Sequence, residues 1–456
     1  MQDRPITDKE FNRSIWQTPS PHTFPRYSAA NRKVDTVVIG AGLTGLSAAY
    51  HLLKASPGRR VVVLEGEKVG AGASSRSTGM LTPGIGQNLG SLIKRVGPQI
   101  ARRLYQETLD AVLYTKELVS QLGIDCRLRM NGQLIVSPRG RCMQSRLRAQ
   151  IQAYEQLDLP HESWDLQTLM QRAKFAAPSV GTPEDGPAAI RLPTAGALDP
   201  GILLNGLADR VIRLGGEIYE NSRVASISDG QPATVMLTGG GAVTAKDVVL
   251  ATSGYGLATG IMKGRVLPVH LGVIATEPLE PSQLANLGWS GRECTIDCRR
   301  IFNYFRLTDD NRIVFGGGIP RYQWGGDLTP AATAKQSLQK LERELAAVFA
   351  AAGKLTIAAA WTGVIGYVLD TIPTISRLRS KPAVLFVGAW SGHGIALSIR
   401  SGEWVRELID QRRAPNDLPW FTHTPPWLPT EFLRWCGFKI AVKGMTFQDR
   451  FSARVL

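Results

Sequence analysis

The stretch from Val34 to Gly45 reads VDTVVIGAGLTG, and it decides the fold of this chain. Its first half is β-branched and apolar, which is typical of a buried parallel strand. Its second half is a GxGxxG turn, and the segment LSAAYHLLK (46–54) that follows has helical character. The segment RRVVVLE (59–65) has the character of the next strand. The sequence therefore predicts a strand–turn–helix–strand unit of the dinucleotide-binding type.

Each glycine of the turn has a physical role. Gly40 allows the tight turn, Gly42 lets backbone amides approach a pyrophosphate, and Gly45 lets the helix pack closely on the strand. The phosphates would lie at a helix N-terminus, whose free N–H groups and dipole favour negative charge. Glu65, about 20 residues beyond the last glycine, would accept hydrogen bonds from a ribose hydroxyl, which favours FAD or NAD over NADP. A glycine-rich turn without function is disfavoured, because the whole unit is present.

Length and composition limit the remaining possibilities. The 456 residues can form two domains, or one large α/β unit with insertions. Five scattered cysteines indicate neither a disulfide framework nor a metal site. The N-terminal sequence is unlike a signal peptide, and glycines, serines and His393 interrupt the longest uncharged stretch, 382–399. We therefore expect a cytoplasmic protein without a transmembrane helix.

The formal net charge of +15 has two interpretations. It could mark a nucleic-acid or membrane-surface partner, or a preference for acidic substrates. The charges are spread along the chain, and the densest cluster is the four arginines between Arg139 and Arg148. Solvated arginines are therefore favoured over a polyanion site, and no nucleic-acid partner is expected.

Two further glycine-rich segments indicate a large cofactor. The segment GAGASSRSTGM (70–80) can lay backbone amides and hydroxyls along a diphosphate and a ring system. The segment GAWSGHGIAL (388–397) follows another buried strand, 384–387, and opens another helix. A nicotinamide dehydrogenase does not need a second long phosphate-side loop, so these segments favour a flavin.

With these motifs the chain resembles FAD-dependent amine and amino-acid oxidoreductases of the D-amino-acid-oxidase-like superfamily, in particular the gamma-glutamylputrescine oxidase-like branch. The resemblance covers roughly residues 14 to 412. It is carried by SIW (14–16), VVIGAGLTGLSAAYHL, GAGASSRSTGM with LTPG, GIDCRL with NGQLIV, IYENSRV, DVVLATSGY, FGG (315–317), WTG (361–363) and GAWSGHGIALS. It implies a mixed α/β and α+β fold, in which a discontinuous Rossmann-type FAD-binding domain is interleaved with an antiparallel-sheet substrate domain.

The resemblance also implies which residues hold FAD. The pyrophosphate would be held by Gly40, Ala41, Gly42, Thr44 and Gly45, and the adenosine ribose by Glu65. The diphosphate, ribityl and ring side would be lined by Ser74, Ser75, Arg76 and Gly79. Val224 would contact the adenine, and Ala251 and Thr252 would pass beneath the cofactor. The ring would be bracketed by Gly388, Gly392, His393, Gly394 and Ile395, at a helix N-terminus whose dipole stabilises the reduced flavin.

The cofactor is expected to be non-covalent. Some relatives attach FAD through a cysteine or a histidine. The stretch before Asp370, where the cysteine would lie, contains none. The place of the histidine, in the loop after Glu65, is held by Arg76.

The same comparison divides the chain into interleaved parts. The predicted ranges are a leader (1–30), FAD-binding parts (31–85, 197–258 and 358–412), substrate-domain parts (86–196 and 259–357) and a C-terminal extension (413–456). Helices are predicted over Leu92–Leu122 and Ala331–Ala352. Substrate-sheet strands are predicted over Met130–Val136, Gly264–Thr276, Arg300–Leu307 and Arg312–Gly316.

The implied reaction removes a hydride from the carbon beside an amine nitrogen and gives an imine that water hydrolyses. The flavin carries this chemistry, so no catalytic side chain is predicted. Tyr304 and Arg306 share one face of a strand, and together they could hold a carboxylate on a small amine or amino acid. An arginine on the solvent face of the strand is the equal alternative. His270 and Trp390 are weaker candidates for the substrate pocket.

The tail and the function each leave alternatives open. Residues 413–456 hold three tryptophans, Trp420, Trp427 and Trp435, among prolines and basic residues. A strap packed on the body, kept irregular by its prolines, is favoured over a membrane-surface or partner contact. An FAD-dependent amine or amino-acid oxidoreductase is the leading function. An oxidase acting on an aminoalkyl group of RNA and a non-catalytic flavoprotein are the alternatives. The substrate, the electron acceptor (oxygen or another) and the oligomeric state do not follow from the sequence.

Overall fold

The structure is a computed structural model that describes residues 12–17, 21–28, 31–138, 141–175, 186–329 and 334–454. Within those ranges the strands form two eight-stranded sheets and one two-stranded sheet. No helix in the described ranges is both long enough and apolar enough to cross a membrane.

The strands, in chain order, are β1 (Arg32–Ile39), β2 (Val61–Leu64), β3 (Met80–Leu81), β4 (Gln133–Val136), β5 (Glu162–Trp164), β6 (Ala189–Leu192), β7 (Gly196–Ala197), β8 (Glu217–Tyr219), β9 (Val224–Ile227), β10 (Ala233–Leu237), β11 (Ala242–Leu250), β12 (Leu267–Thr276), β13 (Cys294–Asp297), β14 (Tyr304–Leu307), β15 (Ile313–Tyr322), β16 (Ile357–Tyr367), β17 (Thr374–Leu378) and β18 (Lys381–Gly388). The helices are α1 (Leu43–Ala55), α2 (Leu89–Val96), α3 (Pro98–Leu122), α4 (Arg141–Gln156), α5 (Leu166–Arg172), α6 (Pro200–Arg213), α7 (Pro281–Leu287), α8 (Ala334–Val348), α9 (Ile395–Asp410) and α10 (Glu431–Arg454).

The first large sheet is the predicted dinucleotide-binding sheet. Its order is β17-β18-β11-β1-β2-β8, with β10 and β9 added beside β11. The pairs of β1 with β2 and β11, of β2 with β8, and of β11 with β18 are all parallel. All four residues of β2 are buried, as expected for a strand covered on both faces. Helices α1, α6 and α9 pack on one of these faces, and α3 packs on α9.

The turn after β1 depends on two close backbone contacts. Gly40 has a φ of +102°, and a Cβ at this position would lie 2.8 Å from the carbonyl oxygen of Ala251. A Cβ at Gly45, in the first turn of α1, would lie 1.9 Å from the carbonyl oxygen of Gly40. Both positions therefore require glycine, and the helix can approach its strand only because Gly45 has no side chain.

The second large sheet is the substrate sheet, in the order β16-β12-β15-β14-β13-β4-β6-β5. Its pairs are antiparallel, as expected, except that β4 and β13 run parallel. One face is covered by α8 and packs an aromatic cluster. The cluster consists of Phe175, Trp289, Phe305, Phe315 and Phe349. The other face is turned toward the first sheet.

Three predicted boundaries are corrected. The helix predicted over Leu92–Leu122 is two helices, α2 and α3, because Gly97 has a φ of 78° and Pro98 starts a new helix. The strand predicted to end at Gly316 continues as β15 to Tyr322. The FAD-binding range predicted to begin at 358 includes β16, which belongs to the substrate sheet because it pairs along its length with β12. Of the predicted helix Ala331–Ala352, residues 331–333 lie outside the described ranges.

The C-terminal extension is predicted to be an irregular strap, and this prediction is wrong for the residues after Thr430. Leu418, Trp420 and Phe421 are buried, and Trp420 packs beside Trp404 of α9. The proline-rich part runs to Thr430, where no element of regular structure longer than three residues occurs in the described chain. Beyond it, α10 extends over 24 residues, since this part contains no proline.

We expect Gly45→Ala to lower the free energy of unfolding by about 1–3 kcal/mol, because the added methyl group must displace the backbone of Gly40. Thermal unfolding and flavin content would be measured together, since the displaced turn is also the predicted phosphate site. Gly444→Ala in α10 is the matched control, because a Cβ there meets nothing within 4 Å. It should be neutral or stabilise the helix by up to about 1 kcal/mol. Equal effects of the two substitutions would contradict the packing argument.

Candidate active site

A cavity of about 1370 Å³ extends from the glycine turn after β1 to the substrate sheet. Its walls include Gly40, Glu65 and Thr252 on the first sheet, and Leu271 and Tyr304 on the second. Pockets for small ligands usually measure about 300–1,000 Å³. The cavity is therefore large enough for an extended cofactor and a substrate together.

At one end, the N-terminus of α1 faces the cavity. Gly42 caps this helix, and a Cβ there would lie 2.9 Å from Oγ of Ser74. The backbone N–H of Leu43 donates to the same Oγ at 3.0 Å. Thr44 donates to Oγ of Ser398 at 2.8 Å. These groups form a glycine and hydroxyl cradle at a helix N-terminus, a suitable environment for phosphate oxygens.

Glu65 lies at the carboxyl end of β2 and lines the cavity. Its Oε2 accepts from the N–H of Ala41 at 2.8 Å, and its Oε1 accepts from the N–H of Glu67 at 3.0 Å. Burial raises the pKa of this carboxyl, and the N–H of Ala41 opposes that shift. The carboxylate thus fixes the glycine turn to β2 and has further lone pairs for a ribose hydroxyl.

The second glycine turn forms the other end of the cofactor region. Ala389, Ser391 and Gly392 all have positive φ, so the chain turns sharply before α9. Burial lowers the pKa of His393 to about 4, so its ring is neutral. Trp390 lines the cavity and donates its Nε1–H to Thr44 at 3.1 Å, which joins the two glycine turns.

Two buried polar atoms in the cavity wall indicate a bound group. Nδ1 of His393 and Oγ1 of Thr252 have no hydrogen-bond partner within the described part of the chain. Buried polar atoms are almost always paired in native proteins. Together with the cradle around Gly42 and the size of the cavity, they fit a dinucleotide flavin that lies between the two glycine turns.

The structure brings most of the predicted cofactor residues to this cavity. Those that line it are Gly40, Gly42, Thr44, Glu65, Ser74, Arg76, Val224, Ala251, Thr252, Gly392, His393, Gly394 and Ile395. Those that do not line it are Ala41, Gly45, Ser75, Gly79 and Gly388. Several of these support the wall from behind: Ser75 donates to the carbonyl of Gly70 at 2.5 Å.

On the substrate side, Tyr304 lines the cavity as predicted. Its ring lies over Gly316 on the neighbouring strand, where a Cβ would come within 2.2 Å of it. Burial raises the pKa of the phenol, so it is neutral. The Tyr304 hydroxyl makes no hydrogen bond to other described residues, which leaves it available to a substrate.

The prediction that Arg306 faces the substrate is wrong. Its side chain is buried and does not line the cavity. Its Nε–H donates to the carbonyl of Thr78 at 2.6 Å, and its Nη2–H donates to that of Leu198 at 2.8 Å. The guanidinium also lies 5.0 Å from the ring centroid of Trp16. Arg306 therefore joins the substrate sheet to the segment before β3.

His270 is also outside the cavity. The alternating residues Leu267, Val269, Leu271 and Val273 of β12 line the cavity, so His270 points to the opposite face of the strand. There its ring lies 2.9 Å from the carbonyl oxygen of Asp327. Strand alternation thus excludes it from the substrate pocket.

The sequence reasoning missed a wall formed by α10. The residues of α10 that line the cavity are Leu433, Arg434, Gly437, Phe438, Ala441, Val442 and Met445, at the three- and four-residue spacing of one helix face. Glu431 accepts from the hydroxyl of Tyr322 at 3.0 Å and from the N–H of Gly325 at 2.8 Å. Asp449 accepts from Nη1 of Arg146 at 2.6 Å. The sequence contains this spacing, but the nearby prolines favoured the prediction of an irregular segment.

The comparisons with known proteins agree with this geometry. The sequence profile of the family described as FAD dependent oxidoreductase matches residues 35–408. The probable oxidoreductase OrdL of Haemophilus influenzae is 29% identical over 382 residues, which are 82% of this chain and 82% of that protein. The gamma-glutamylputrescine oxidoreductase of Escherichia coli is 28% identical over 404 residues, 87% of this chain and 88% of that protein.

Solved structures share the fold. The glycine oxidase from Geobacillus kaustophilus matches with a TM-score of 0.71 at 20% identity, over 86% of this chain and 99% of that one. The L-proline dehydrogenase from P. horikoshii matches with a TM-score of 0.66 at 20% identity, over 86% and 97%. The profile match covers most of the chain and includes both glycine turns. This chain therefore belongs to the family of FAD-dependent oxidoreductases.

Proposed function

We propose that this protein oxidises the C–N bond of a small amine or amino acid. The single observation that carries the proposal is the shared cavity, in which the two glycine turns face an apolar wall of the substrate sheet. Bound FAD supplies a two-electron acceptor: a hydride leaves the substrate carbon, and the resulting imine is hydrolysed by water to a carbonyl product. The names of the relatives support this class, since they include a gamma-glutamylputrescine oxidoreductase and a glycine oxidase.

The protein's own contribution is position and solvation. Leu267, Val269, Leu271 and Val273 form the wall that faces the cofactor region. An apolar wall disfavours the ammonium form of an amine, because burial disfavours the charged state. The neutral amine, with its nitrogen lone pair free, is the form that gives up a hydride to an electron acceptor. The phenol of Tyr304 would orient it by a hydrogen bond.

Arg434 of α10 is the proposed contact for a carboxylate on the substrate, in place of Arg306. It lines the cavity and is only 8% exposed. Its Nε–H donates to the carbonyl of Thr430 at 3.1 Å and lies 3.5 Å from a carboxylate oxygen of Glu431. Its two terminal nitrogens make no hydrogen bond to other described residues. They are therefore available for the paired contact that guanidinium groups make with carboxylates.

Purified protein mixed with amines in the absence of oxygen tests the main proposal. The panel holds gamma-glutamylated polyamines, N-methyl amino acids, D- and L-amino acids and aminophosphonates. We expect one class to bleach the absorbance of the oxidised flavin, because hydride transfer reduces it. Admitting air then shows whether oxygen is the acceptor. A protein that holds flavin but is bleached by no amine would contradict the proposal and favour a macromolecular substrate or a binding role.

The cofactor is expected to leave the protein on denaturation, because Arg76 occupies the place of the histidine that carries FAD in some relatives. Arg76 is fixed there by bonds to the carbonyls of Ala71 and Thr362. After acid precipitation, all flavin absorbance should remain in the supernatant, and the mass of the polypeptide should equal that of the sequence. A polypeptide heavier by one FAD would contradict this, and His393 and Cys298, which both line the cavity, would then be tested as attachment sites.

Arg434→Gln should weaken the binding of amines that carry a carboxylate by roughly 10- to 100-fold, since a charged hydrogen-bond pair is lost. The measurement is the substrate dependence of anaerobic flavin reduction. Neutral amines of the same length should be unaffected. Lys443→Gln is the matched control, because it removes the same charge from an exposed position on the same helix. Equal losses for charged and neutral amines would refute the contact.

A further inference from the structure

The outward face of α10 is apolar, although it faces solvent. Phe432 is 61% exposed, Ile440 is 70% exposed and Phe447 is 69% exposed. At about 100° per residue, these three positions fall within an arc of roughly 80° on the helix. The opposite face of the helix lines the cavity. This helix therefore presents large apolar groups on two sides, and its inner side borders the cavity.

Neighbouring residues extend this surface. Trp427 and Trp324 are each more than half exposed, and Trp324 packs against Trp435 of α10. We define the apolar patch as Trp324, Trp427, Phe432, Ile440 and Phe447. It holds five of the fourteen large hydrophobic side chains that are exposed in the described chain. Exposed hydrophobic residues usually occur singly, and a cluster marks an interaction surface.

The charges of α10 are segregated around the helix. Lys439 and Lys443 are exposed and lie on the same side of α10 as Phe432 and Ile440. The helix's two described acids point elsewhere. Glu431 is bonded to Tyr322 and Gly325, and Asp449 is bonded to Arg146 and to the backbone N–H groups of Arg300 and Ile301. The outward face is thus apolar and cationic, without an acid among its described residues.

We propose that the apolar patch docks onto an anionic phospholipid surface, with α10 lying in the plane of the headgroups. Apolar side chains on one face of a helix, with lysines beside them, are the pattern of interfacial helices. Exposed tryptophans suit the boundary between headgroups and acyl chains, and the two lysines complement anionic lipids. The side chains project from a convex helix rather than line a groove, which fits a lipid surface better than a protein segment. Docking in this way needs no membrane-spanning helix.

Co-sedimentation of the full-length, flavin-loaded protein with vesicles tests the proposal. One set is pure phosphatidylcholine, and the other contains equal parts of phosphatidylcholine and phosphatidylglycerol. We expect strong binding to the anionic vesicles, weak binding to the neutral ones, and partial loss of the former at high salt, because salt screens the lysines. No sedimentation with either vesicle would overturn the proposal.

Surface variants distinguish binding through the apolar patch from nonspecific hydrophobic binding to vesicles. Phe432→Ser with Ile440→Ser should reduce anionic-vesicle binding roughly tenfold or more, because buried apolar area provides much of interfacial affinity. Lys439→Gln with Lys443→Gln should reduce only the part that depends on phosphatidylglycerol. The matched control is Leu113→Ser with Leu214→Ser, two residues that are 49% and 41% exposed on other parts of the chain. The control should bind as the unaltered protein does.

Two results would overturn the proposal while leaving the oxidoreductase function intact. The first is equal vesicle binding by the unaltered protein and by the Phe432→Ser, Ile440→Ser variant. The second is a dimer in solution that this variant dissociates, since the apolar patch would then join two copies of the chain. Flavin content and thermal unfolding, measured for every variant, show that each protein is folded. Anaerobic reduction by the amine panel reports separately on the function.

Discussion

The close approach of α1 to the backbone of Gly40 is the constraint on which the rest of the site depends. Without a side chain at Gly45, the helix comes so near to β1 that its first N–H groups face the cavity. A second close contact continues the arrangement. A Cβ at Gly402 of α9 would lie 2.3 Å from Oγ of Ser47 on α1. The two helices are thus packed through glycines, and the N-termini of both face the cavity.

Several side chains connect the substrate sheet to the first sheet and its loops by donating hydrogen bonds to backbone carbonyl oxygens. Arg306 reaches from β14 to Thr78 and Leu198, and Arg76 reaches from the flavin side to Thr362 on β16. Trp361 returns a hydrogen bond to the carbonyl of Arg76 at 3.0 Å. Backbone acceptors are present whatever the side chain, so these contacts do not depend on the identity of Thr78, Leu198 or Thr362. The side chains that face the cavity then decide which ligands it can bind.

The parts of the fold that the sequence could predict are those with a strong local pattern. The β1–α1–β2 unit combines a hydrophobic periodicity with glycines at positions where a side chain would clash with the backbone. Its observed bounds agree with the predicted ones. The orientations of Arg306 and His270 could not be predicted in the same way. For His270, in a strand buried on both faces, alternation tells which residues share a side but not which side meets the cofactor. Arg306 lies on the same side of its strand as Tyr304, which lines the cavity, but its guanidinium donates to the carbonyls of Thr78 and Leu198, which are distant in the sequence. Only the structure shows which side of β12 faces the cavity, because Leu267, Val269, Leu271 and Val273 line it.

Two other differences have local causes that the sequence contains. Gly97 and Pro98 mark the break between α2 and α3, but the apolar periodicity on both sides outweighed them. In the tail, prolines up to Pro429 suggested an irregular strap, whereas the proline-free segment after Thr430 is helical. The assignment of β16 to the substrate sheet depends on its pairing with β12, about 90 residues earlier, and such long-range pairing has no local pattern.

The wall formed by α10 lies outside the part of the chain that the family profile matches. The family profile ends at residue 408, whereas side chains as far as Met445 border the cavity. The two glycine turns thus lie in the matched part, and one wall of the cavity is supplied by a segment beyond it. Helix α10 contributes no strand to either sheet, and it is held to the body by the side chains of Glu431 and Asp449. The shape of the cavity on this side therefore depends on how one helix packs, and not on the order of the strands in the two sheets.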